Sequence, residues 1–331
     1  MASDLTSRYQ PEFAQWFEPL KESFQGADAN LHDLQLRRRT YEATIEQIIS
    51  AWPEYPNVER VLYHAQAGDG HQIPVYAFVK RVRAVVAPNP SKATAGVLHI
   101  HGGGMILGTV ELFTKFIARQ VEETSVPFFS VEYRRAPEFG GTTLVDDCYA
   151  GLVWLRTHAA QFNIDVSRIA VVGESAGGGL AAGVALKARD QGLQPPLAKQ
   201  ILIYPMLDDR NIIPNPEMAP WVFYTWEENE VGWAAVLGKD KAGNPQADVS
   251  EYVAPARAKS VAGLPSTYLD VGSLDIFVTE SLVYASRLMA ENIEVEFHLY
   301  PGLPHGYDLF ASGLEVSKRC FENRKRAIMS L

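Results

Sequence analysis

Apolar residues in the first fifty positions recur at the spacing of amphipathic helices. Between residues 10 and 52 they return every three or four positions, with polar residues between them. The pattern predicts two helices ahead of the first strand, and their apolar faces must pack on the rest of the chain, for example as a lid. The apolar positions are Phe13, Phe17, Leu20 and Phe24, then Leu31, Leu34, Tyr41, Ile45, Ile48 and Ile49.

Strand patterns begin after these helices. Residues 58–65 and 73–82 alternate between polar and apolar, and glycines at 68 and 70 between them indicate a hairpin at an antiparallel edge. Beyond residue 96, short apolar runs alternate with helical patterns, which favours a parallel sheet covered on both faces. The predicted strands are 96–101, 127–133, 169–172, 200–205, 266–271 and 294–300, and the predicted helices are 111–124, 144–157, 177–187, 279–291 and 313–328.

Residues 206–255 interrupt this alternation. The segment is rich in proline and aromatic residues and has no strand pattern. Because the strand and helix rhythm resumes at residue 266, the segment is predicted to be an insertion above the sheet rather than part of it.

Composition and charge are those of an ordinary globular protein. Of 331 residues, 47% are hydrophobic and 21% charged, enough for a sizeable core. The formal net charge is -9 and the longest basic run is residues 37–39, so nucleic acid and anionic membranes are poor partners. Cys148 and Cys320 are too few for a disulfide framework or a zinc site. With no apolar stretch typical of a signal peptide or a membrane span, a cytoplasmic protein is expected.

Positions 173–177 read Gly-Glu-Ser-Ala-Gly, after four apolar residues and before a run of small ones. This is the order of a buried strand, a sharp turn and a closely packed helix. Glycines two positions either side of Ser175 fit a nucleophile elbow, whose helix N-terminus would face an anion formed there. Since short glycine patterns also occur in purely structural turns, Ser175 needs a base, an acid and an oxyanion hole from elsewhere in the chain.

His305 and Asp275 are the predicted base and acid. A serine hydroxyl is a weak nucleophile unless a base, itself oriented by a carboxylate, stands beside it. His305 follows the last predicted strand in a Gly/Pro loop, and Asp275 follows the strand before it. The rival Asp270 falls inside that strand, fixed to one face of the sheet, and Asp308 follows His305 too closely to come from another strand end. The order Ser175, Asp275, His305 is that of α/β-hydrolases.

The predicted oxyanion hole lies at positions 101–104, which read His-Gly-Gly-Gly after a strand. Glycine lets backbone amides approach a substrate, so the N–H groups of Gly103 and Gly104 would act with that of Ala176. Three glycines could also form merely a flexible turn. His99 and His101 are spaced as metal ligands can be, but no further ligand stands near them, so no metal site is predicted.

Four motifs occur in one order along the chain. They read His-Gly-Gly-Gly at 101–104, Tyr-Arg-Arg-Ala-Pro-Glu at 133–138, Gly-Glu-Ser-Ala-Gly-Gly at 173–178 and Pro-His-Gly at 304–306. Together they resemble the hormone-sensitive-lipase-like esterases of the α/β-hydrolase fold, from about residue 58 to the C-terminus. The resemblance implies a mostly parallel eight-stranded sheet, helices on both faces and a helical cap. It also implies hydrolysis of short to medium carboxylesters without a cofactor.

The resemblance assigns the two unplaced segments to the cap. Residues 1–55 are its N-terminal helical part, residues 206–255 its insertion, and residues 56–205 with 256–331 the catalytic domain. The aromatic insertion is expected either to roof an apolar pocket for small uncharged esters or to serve as core packing. The candidates for pocket walls are Met105, Tyr204 and Trp226. The strand 294–300 is expected at a sheet edge, where two copies could pair as a homodimer.

Three positions depart from the pattern of that group. Glu174 stands where Asp or Thr is common, and so affects the support behind the elbow. Met105 stands where Gly or an aromatic is common, and so affects the acyl side of the pocket. Residues 139–143 replace a proline-containing segment. None of these changes removes a predicted catalytic group.

Other readings differ in substrate or in class. Lactones and acetylated metabolites would use the same triad. A non-catalytic receptor on this fold would be expected to lack part of the triad, and every member is present. A nucleotide-dependent oxidoreductase is suggested by glycines at 177, 179 and 183, but these fall inside the predicted helix, and the next strand does not end in an acidic residue that would hold a ribose.

Overall fold

The parts of the chain that the structure describes, residues 8–21, 31–81 and 93–331 of a computed structural model, contain an eight-stranded sheet. Its strand order is β1-β2-β4-β3-β5-β6-β7-β8. The β1/β2 and β2/β4 pairs are antiparallel and the remaining pairs are parallel, which confirms the predicted α/β-hydrolase architecture. Phe24 and Val82, predicted in a helix and a strand, lie outside the described residues. The strands are β1 (Val58–Gln66), β2 (Gln72–Lys80), β3 (Thr94–Ile100), β4 (Phe128–Val131), β5 (Ile164–Glu174), β6 (Lys199–Ile203), β7 (Ser266–Leu274) and β8 (Val295–Pro304).

Helices pack on this sheet because its central strands are apolar on both faces. Every residue of β4 is buried, and β3 is buried from its second residue onward. In the described ranges, no helix combines the length and the apolar character needed to cross a membrane. The helices are α1 (Pro11–Phe17), α2 (Leu34–Ser50), α3 (Thr114–Thr124), α4 (Thr143–His158), α5 (Ala176–Asp190), α6 (Trp226–Leu237), α7 (Val278–Ala290), α8 (Tyr307–Phe310) and α9 (Glu315–Met329).

The carboxyl ends of the parallel strands bring distant parts of the chain together. Ser175 directly follows β5, Asp275 directly follows β7 and His305 directly follows β8. Since these strands run in the same direction, the three residues emerge at one edge of the sheet. The loop that begins at His101 leaves the same edge from β3.

Residues of the N-terminal helices pack against the 206–255 segment. Phe13 and Phe17 of α1 lie in an aromatic cluster with Trp221 and Phe223, and the backbone N–H of Gln10 donates to the carbonyl of Gly302 at 2.9 Å. The segment itself contains α6, which begins with a capping box between Thr225 and Glu228. The sequence pattern predicts an insertion without strands and does not predict this helix.

Arg38 of α2 contacts the loops that contain Ile106 and Ala136. Its guanidinium donates to the carbonyl oxygens of Ile106 and Ala136 and pairs with both carboxylate oxygens of Glu138, at 2.7 and 2.8 Å. Glu138 belongs to the 133–138 motif, and the ion pair holds its pKa at about 2. This contact places α2 beside the loop that follows the glycine motif.

The two rival acids of the sequence analysis share one buried cation. The Arg324 guanidinium of α9 donates to both carboxylate oxygens of Asp270, at 2.7 and 2.8 Å, and also contacts the carboxylate of Asp308. All three side chains are fully buried. Asp270 is therefore held inside the sheet, as its place in the strand pattern indicated, and only Asp275 is left for the histidine.

Replacing Arg324 with Met would leave two carboxylates buried without their cation. We expect the free energy of unfolding to fall by about 3–5 kcal/mol, the usual cost of breaking a buried ion pair. Guanidinium chloride denaturation followed by circular dichroism measures this change. The matched control is Arg326→Met on the same helix, whose largely exposed ion pair with Glu296 should contribute less than about 1 kcal/mol. Equal losses in the two variants would contradict the assignment.

Candidate active site

Ser175 occupies a strained turn between β5 and α5. Its backbone has φ 58° and ψ −121°, a conformation that costs a non-glycine residue of order 1–3 kcal/mol. The turn is held because the Ser175 N–H donates to the carbonyl of Ile203 at 2.9 Å, while the Ser175 carbonyl accepts from Met206 at 3.0 Å. This backbone conformation turns the serine side chain away from the strand, and the hydrogen bond to β6 maintains it.

Glycine is required on both sides of this turn by close packing. A Cβ at Gly173 would lie 2.1 Å from the carbonyl oxygen of Gly177, and a Cβ at Gly177 would lie 2.0 Å from that of Ile100. No side chain fits at these distances, so the strand, the turn and α5 can approach β3 only with glycine at both positions. The spacing that predicted the elbow thus has a steric cause.

A continuous line of hydrogen bonds joins Ser175, His305 and Asp275. The distance from His305 Nε2 to Ser175 Oγ is 2.9 Å, and that from His305 Nδ1 to Asp275 Oδ2 is 2.7 Å. A carboxylate only accepts, so Nδ1 carries the proton and Nε2 presents its lone pair to the serine hydroxyl. Asp275 is fully buried, and its other oxygen accepts from the Phe277 N–H at 2.9 Å.

Aromatic rings surround the His305 imidazole. The centroid of the Tyr204 ring lies 4.7 Å from it, that of Phe277 5.2 Å and that of Tyr224 5.5 Å. These contacts leave 13% of the histidine side chain exposed. The rings fix the plane of the imidazole between the serine and the aspartate.

The glycine loop at 102–104 lies beside Ser175 and needs its glycines. Gly103 and Gly104 have φ of 120° and 58°, and a Cβ at Gly103 would lie 2.2 Å from the carbonyl oxygen of Leu107. The Gly103 carbonyl accepts from Ile106 and Leu107, at 3.1 and 2.8 Å, which closes the loop into a tight turn. A Cβ at Gly102 would lie 3.3 Å from the Ser175 Cβ, so the loop passes directly beside the serine. Ala176, the third predicted donor, is the first residue of α5, where backbone N–H groups lack helical partners.

His101 anchors the start of this loop as a neutral side chain. Its Nδ1 donates to the Gly102 carbonyl at 2.8 Å, its ring stacks on Tyr133 at 4.4 Å, and the Tyr133 hydroxyl donates to the His101 carbonyl. Burial lowers the pKa of His101 to about 3. The histidine and the tyrosine of two separate motifs therefore form one packing unit.

Ser175 and His305 open into a cavity of about 190 Å³. Tyr204 lines it, as predicted, and two carboxylates, Glu174 and Glu228, lie among otherwise mainly apolar walls. The remaining lining residues are Tyr41, Ile45, Gly102, Gly103, Gly104, Leu107, Phe113, Phe223, Tyr224, Gly306, Leu309 and Phe310.

Two of the predicted walls lie elsewhere. Met105 is fully buried outside the cavity lining, with a φ of 67°, and its carbonyl accepts from the Ala136 N–H. The positive φ of Met105 continues the tight turn and aims its side chain into the core. Trp226 is buried at the start of α6, where its ring N–H donates to Asn211 at 2.9 Å. Neither of these two residues contributes to the wall.

Several lining residues were not predicted individually. Tyr41 and Ile45 lie four positions apart and so share one face of α2, which the helical spacing did indicate. Phe223 and Tyr224 come from the aromatic run of the insertion. Periodicity and composition show that such side chains are covered, but they do not distinguish a core from the roof of a cavity.

The unusual 139–143 loop is held against α6. The Gly141 N–H donates to the Val236 carbonyl at 2.8 Å, and a Cβ at Gly140 would lie 2.7 Å from the same oxygen. The 139–143 loop thus touches the backbone near the end of α6, and this close contact leaves no room for a side chain at Gly140.

Comparison with known proteins identifies the family and the fold. Residues 97–309 match the model of a protein family that has the alpha/beta hydrolase fold. Esterase LipI of Mycobacterium tuberculosis is 33% identical over 220 residues, which are 66% of this chain and 67% of that protein. Carboxylesterase NlhH of the same organism is 32% identical over 248 residues, 70% of this chain and 73% of that one.

Among solved structures, bacterial heroin esterase superposes with a TM-score of 0.86 and 35% identity, covering 98% of each chain. Residues 97–309 include all four sequence motifs, among them the turn at Ser175 and the loop that carries His305. The chain belongs to the hormone-sensitive-lipase-like family of the α/β-hydrolase fold.

Proposed function

We propose that this protein is a carboxylesterase that hydrolyses short to medium acyl esters through an acyl-enzyme on Ser175. The observation that carries the proposal is the hydrogen-bonded line from Asp275 through His305 to Ser175, which opens into an apolar cavity beside a glycine loop. The esterase and carboxylesterase names of the relatives support the same reaction class.

In the first half-reaction, Ser175 Oγ attacks the ester carbonyl carbon while His305 Nε2 accepts its proton. The carbonyl oxygen becomes negative and accepts hydrogen bonds from the amides of Gly103, Gly104 and Ala176. One such donor contributes about 10²–10³ to kcat in enzymes of this kind. The carbon–oxygen bond to the alcohol then breaks, and the departing oxygen takes the proton from His305.

In the second half-reaction, a water molecule attacks the acyl carbon of the ester formed on Ser175. His305 accepts the proton of the water and returns a proton to Ser175 Oγ as the carboxylic acid leaves. Asp275 stabilises the imidazolium in both steps, since its buried carboxylate already accepts the Nδ1 proton. The serine ends each cycle unchanged.

The cavity limits the size of the ester. Its volume of about 190 Å³ is below the range of about 300–1,000 Å³ that holds drug-sized ligands. Phe223 and Phe310 narrow it from the side of the insertion and of α8. We therefore place the preference among short to medium acyl groups rather than long ones.

Ser175→Ala should lower kcat/KM for p-nitrophenyl acetate by about 10⁴-fold or more, because the nucleophile is lost. A fluorophosphonate probe followed by mass spectrometry should label the unaltered protein at Ser175 and leave the variant unlabelled. Ser167→Ala, at an exposed serine near the start of β5 and so at the opposite end of the strand from Ser175, is the matched control and should react normally. Unchanged turnover in Ser175→Ala would reject the mechanism.

An acyl series of p-nitrophenyl esters from acetate to palmitate tests the limit on size. We expect kcat/KM to be highest for the short chains and at least about tenfold lower for palmitate, since extra methylenes find no space. Phe223→Ala, which widens the cavity, should move the optimum to longer chains. A flat profile in both proteins would show that the cavity does not select by acyl length.

The neutral state of His101 predicts a loss of stability in acid. Its pKa is about 3 in the folded chain and 6.5 as the unperturbed value, so protonation favours the unfolded state as the pH falls from 6.5 towards 3. Between pH 7.5 and pH 5 this single group should remove about 2 kcal/mol of stability. Between the same two pH values, the free energy of unfolding of His101→Phe should fall by about 2 kcal/mol less than that of the unaltered protein. Equal falls in the two proteins would contradict the assignment.

A further inference from the structure

A second buried line of hydrogen bonds runs beside the proposed catalytic one. Ser130 of β4, His99 of β3 and Glu174 of β5 lie on three adjacent strands. The distance from Ser130 Oγ to His99 Nδ1 is 2.8 Å, and those from His99 Nε2 to the two Glu174 oxygens are 3.1 and 3.3 Å. A carboxylate accepts, so the Nε2 proton of His99 is directed at Glu174.

The sheet register explains why these side chains meet. His99 is opposite Ser130 on one side and Val172 on the other. Glu174 is two residues beyond Val172, so it projects from the same face as His99 and is its diagonal neighbour. Long side chains reach across such a diagonal, and the glutamate is long enough to do so.

The contact joins the two backbones that present the proposed reacting groups. Glu174 is bonded directly to Ser175, while His99 lies three residues before Gly102, where the oxyanion loop begins. A Cβ at Gly102 would lie only 2.9 Å from the Glu174 carbonyl oxygen, so the two segments touch just beyond the side-chain contact. The contact between the His99 imidazole and the Glu174 carboxylate thus fixes the distance between the two segments where they leave the sheet.

Glu174 also faces the cavity and the helix above it. Glu174 lines the same cavity as Tyr41 of α2. Burial raises the pKa of the Tyr41 hydroxyl, and the nearby Glu174 carboxylate raises it further. The Glu174 carboxylate is therefore close to α2 as well as to His99. A shift of its position would alter both contacts.

We propose that Glu174 is a positioning residue, whose carboxylate, held by His99, sets the distance between Ser175 and the oxyanion loop at 102–104. The inference rests on the proposed function, because it takes Ser175 as nucleophile and the loop as oxyanion hole. A positioning role acts on the transition state, since displacements of about 1 Å can cost about 10²-fold in rate. It leaves binding of the uncharged ester nearly unaltered.

The test compares Glu174→Ala, Glu174→Asp and Glu174→Gln with p-nitrophenyl acetate as substrate. The Ala variant should lose about 10²-fold in kcat with KM within about twofold. The Asp variant keeps the charge but shortens the side chain by one bond of about 1.5 Å, so it should also lose kcat, and it tests the spacing even if the Ala variant does not fold. The Gln variant should keep most of kcat because its amide oxygen still accepts from His99.

A trifluoromethyl ketone adds a readout that a merely structural role would not move. It forms a tetrahedral adduct with an active serine whose oxygen occupies the oxyanion hole, so its inhibition constant should weaken in each variant by the same factor as kcat/KM. His99→Ala should reproduce the loss, and the double variant His99→Ala/Glu174→Ala should lose no more than either alone.

Asp147→Asn is the matched control. It alters another buried carboxylate, which pairs with Arg134 away from the cavity lining, and should lower the melting temperature without changing kcat. An unchanged kcat in Glu174→Ala, a rise in KM alone, or additive losses with His99→Ala would overturn the inference. The proposed function fails separately, through activity that survives in Ser175→Ala.

Discussion

The site depends on one constraint of close approach: the backbone of β3 lies against the turn that carries Ser175. At Gly173 and Gly177 the space left for a side chain is smaller than a methyl group. The unfavourable φ and ψ of Ser175 are retained because β6 and α5 hold the residues on either side. Ser175 and the glycine loop at 102–104 are neighbours as a direct result, since that loop continues from the end of β3.

The buried acids near the carboxyl edge of the sheet all have partners. Asp270 and Asp308 pair with the buried Arg324, Asp275 accepts from His305, and Glu174 accepts from His99. Each of these carboxylates would be costly to bury alone. Because Asp270 and Asp308 share Arg324 and Glu174 is held by His99, Asp275 is the carboxylate that orients the His305 imidazole.

The sequence was sufficient for the parts of this arrangement that follow from strand order. Ser175, Asp275 and His305 each stand directly after a parallel strand, so their meeting could be predicted from the alternation of strands and helices. Asp275 could be separated from Asp270 because one lies in a loop and the other in the strand pattern. The walls of the cavity could not be predicted in this way. Met105 turns into the core because its φ is positive, and Trp226 faces Asn211 because of a hydrogen bond within the insertion.

Periodicity also left open what the N-terminal helices cover. Spacing showed that Tyr41 and Ile45 share one face, but the surface that this face meets is formed by residues more than fifty positions away in the chain. The same holds for Glu174. Its identity was unusual in the motif, yet its partner His99 could be found only from the register of β3 against β5. Division of the chain into cap and catalytic domain, and pairing of two copies through β8, stay predictions, although β8 does lie at the edge of the sheet.

The aromatic cluster around α1 reaches the loop that carries His305. Tyr9, Phe13 and Phe17 pack with Leu303 and Tyr307, the residues on either side of the loop that carries His305. A chain shortened past this helix would expose the outer face of that loop to water, while Tyr204, Phe277 and Asp275 would still hold the imidazole. Helix α1 and the loop that carries His305, almost three hundred residues apart in sequence, therefore belong to one packed cluster.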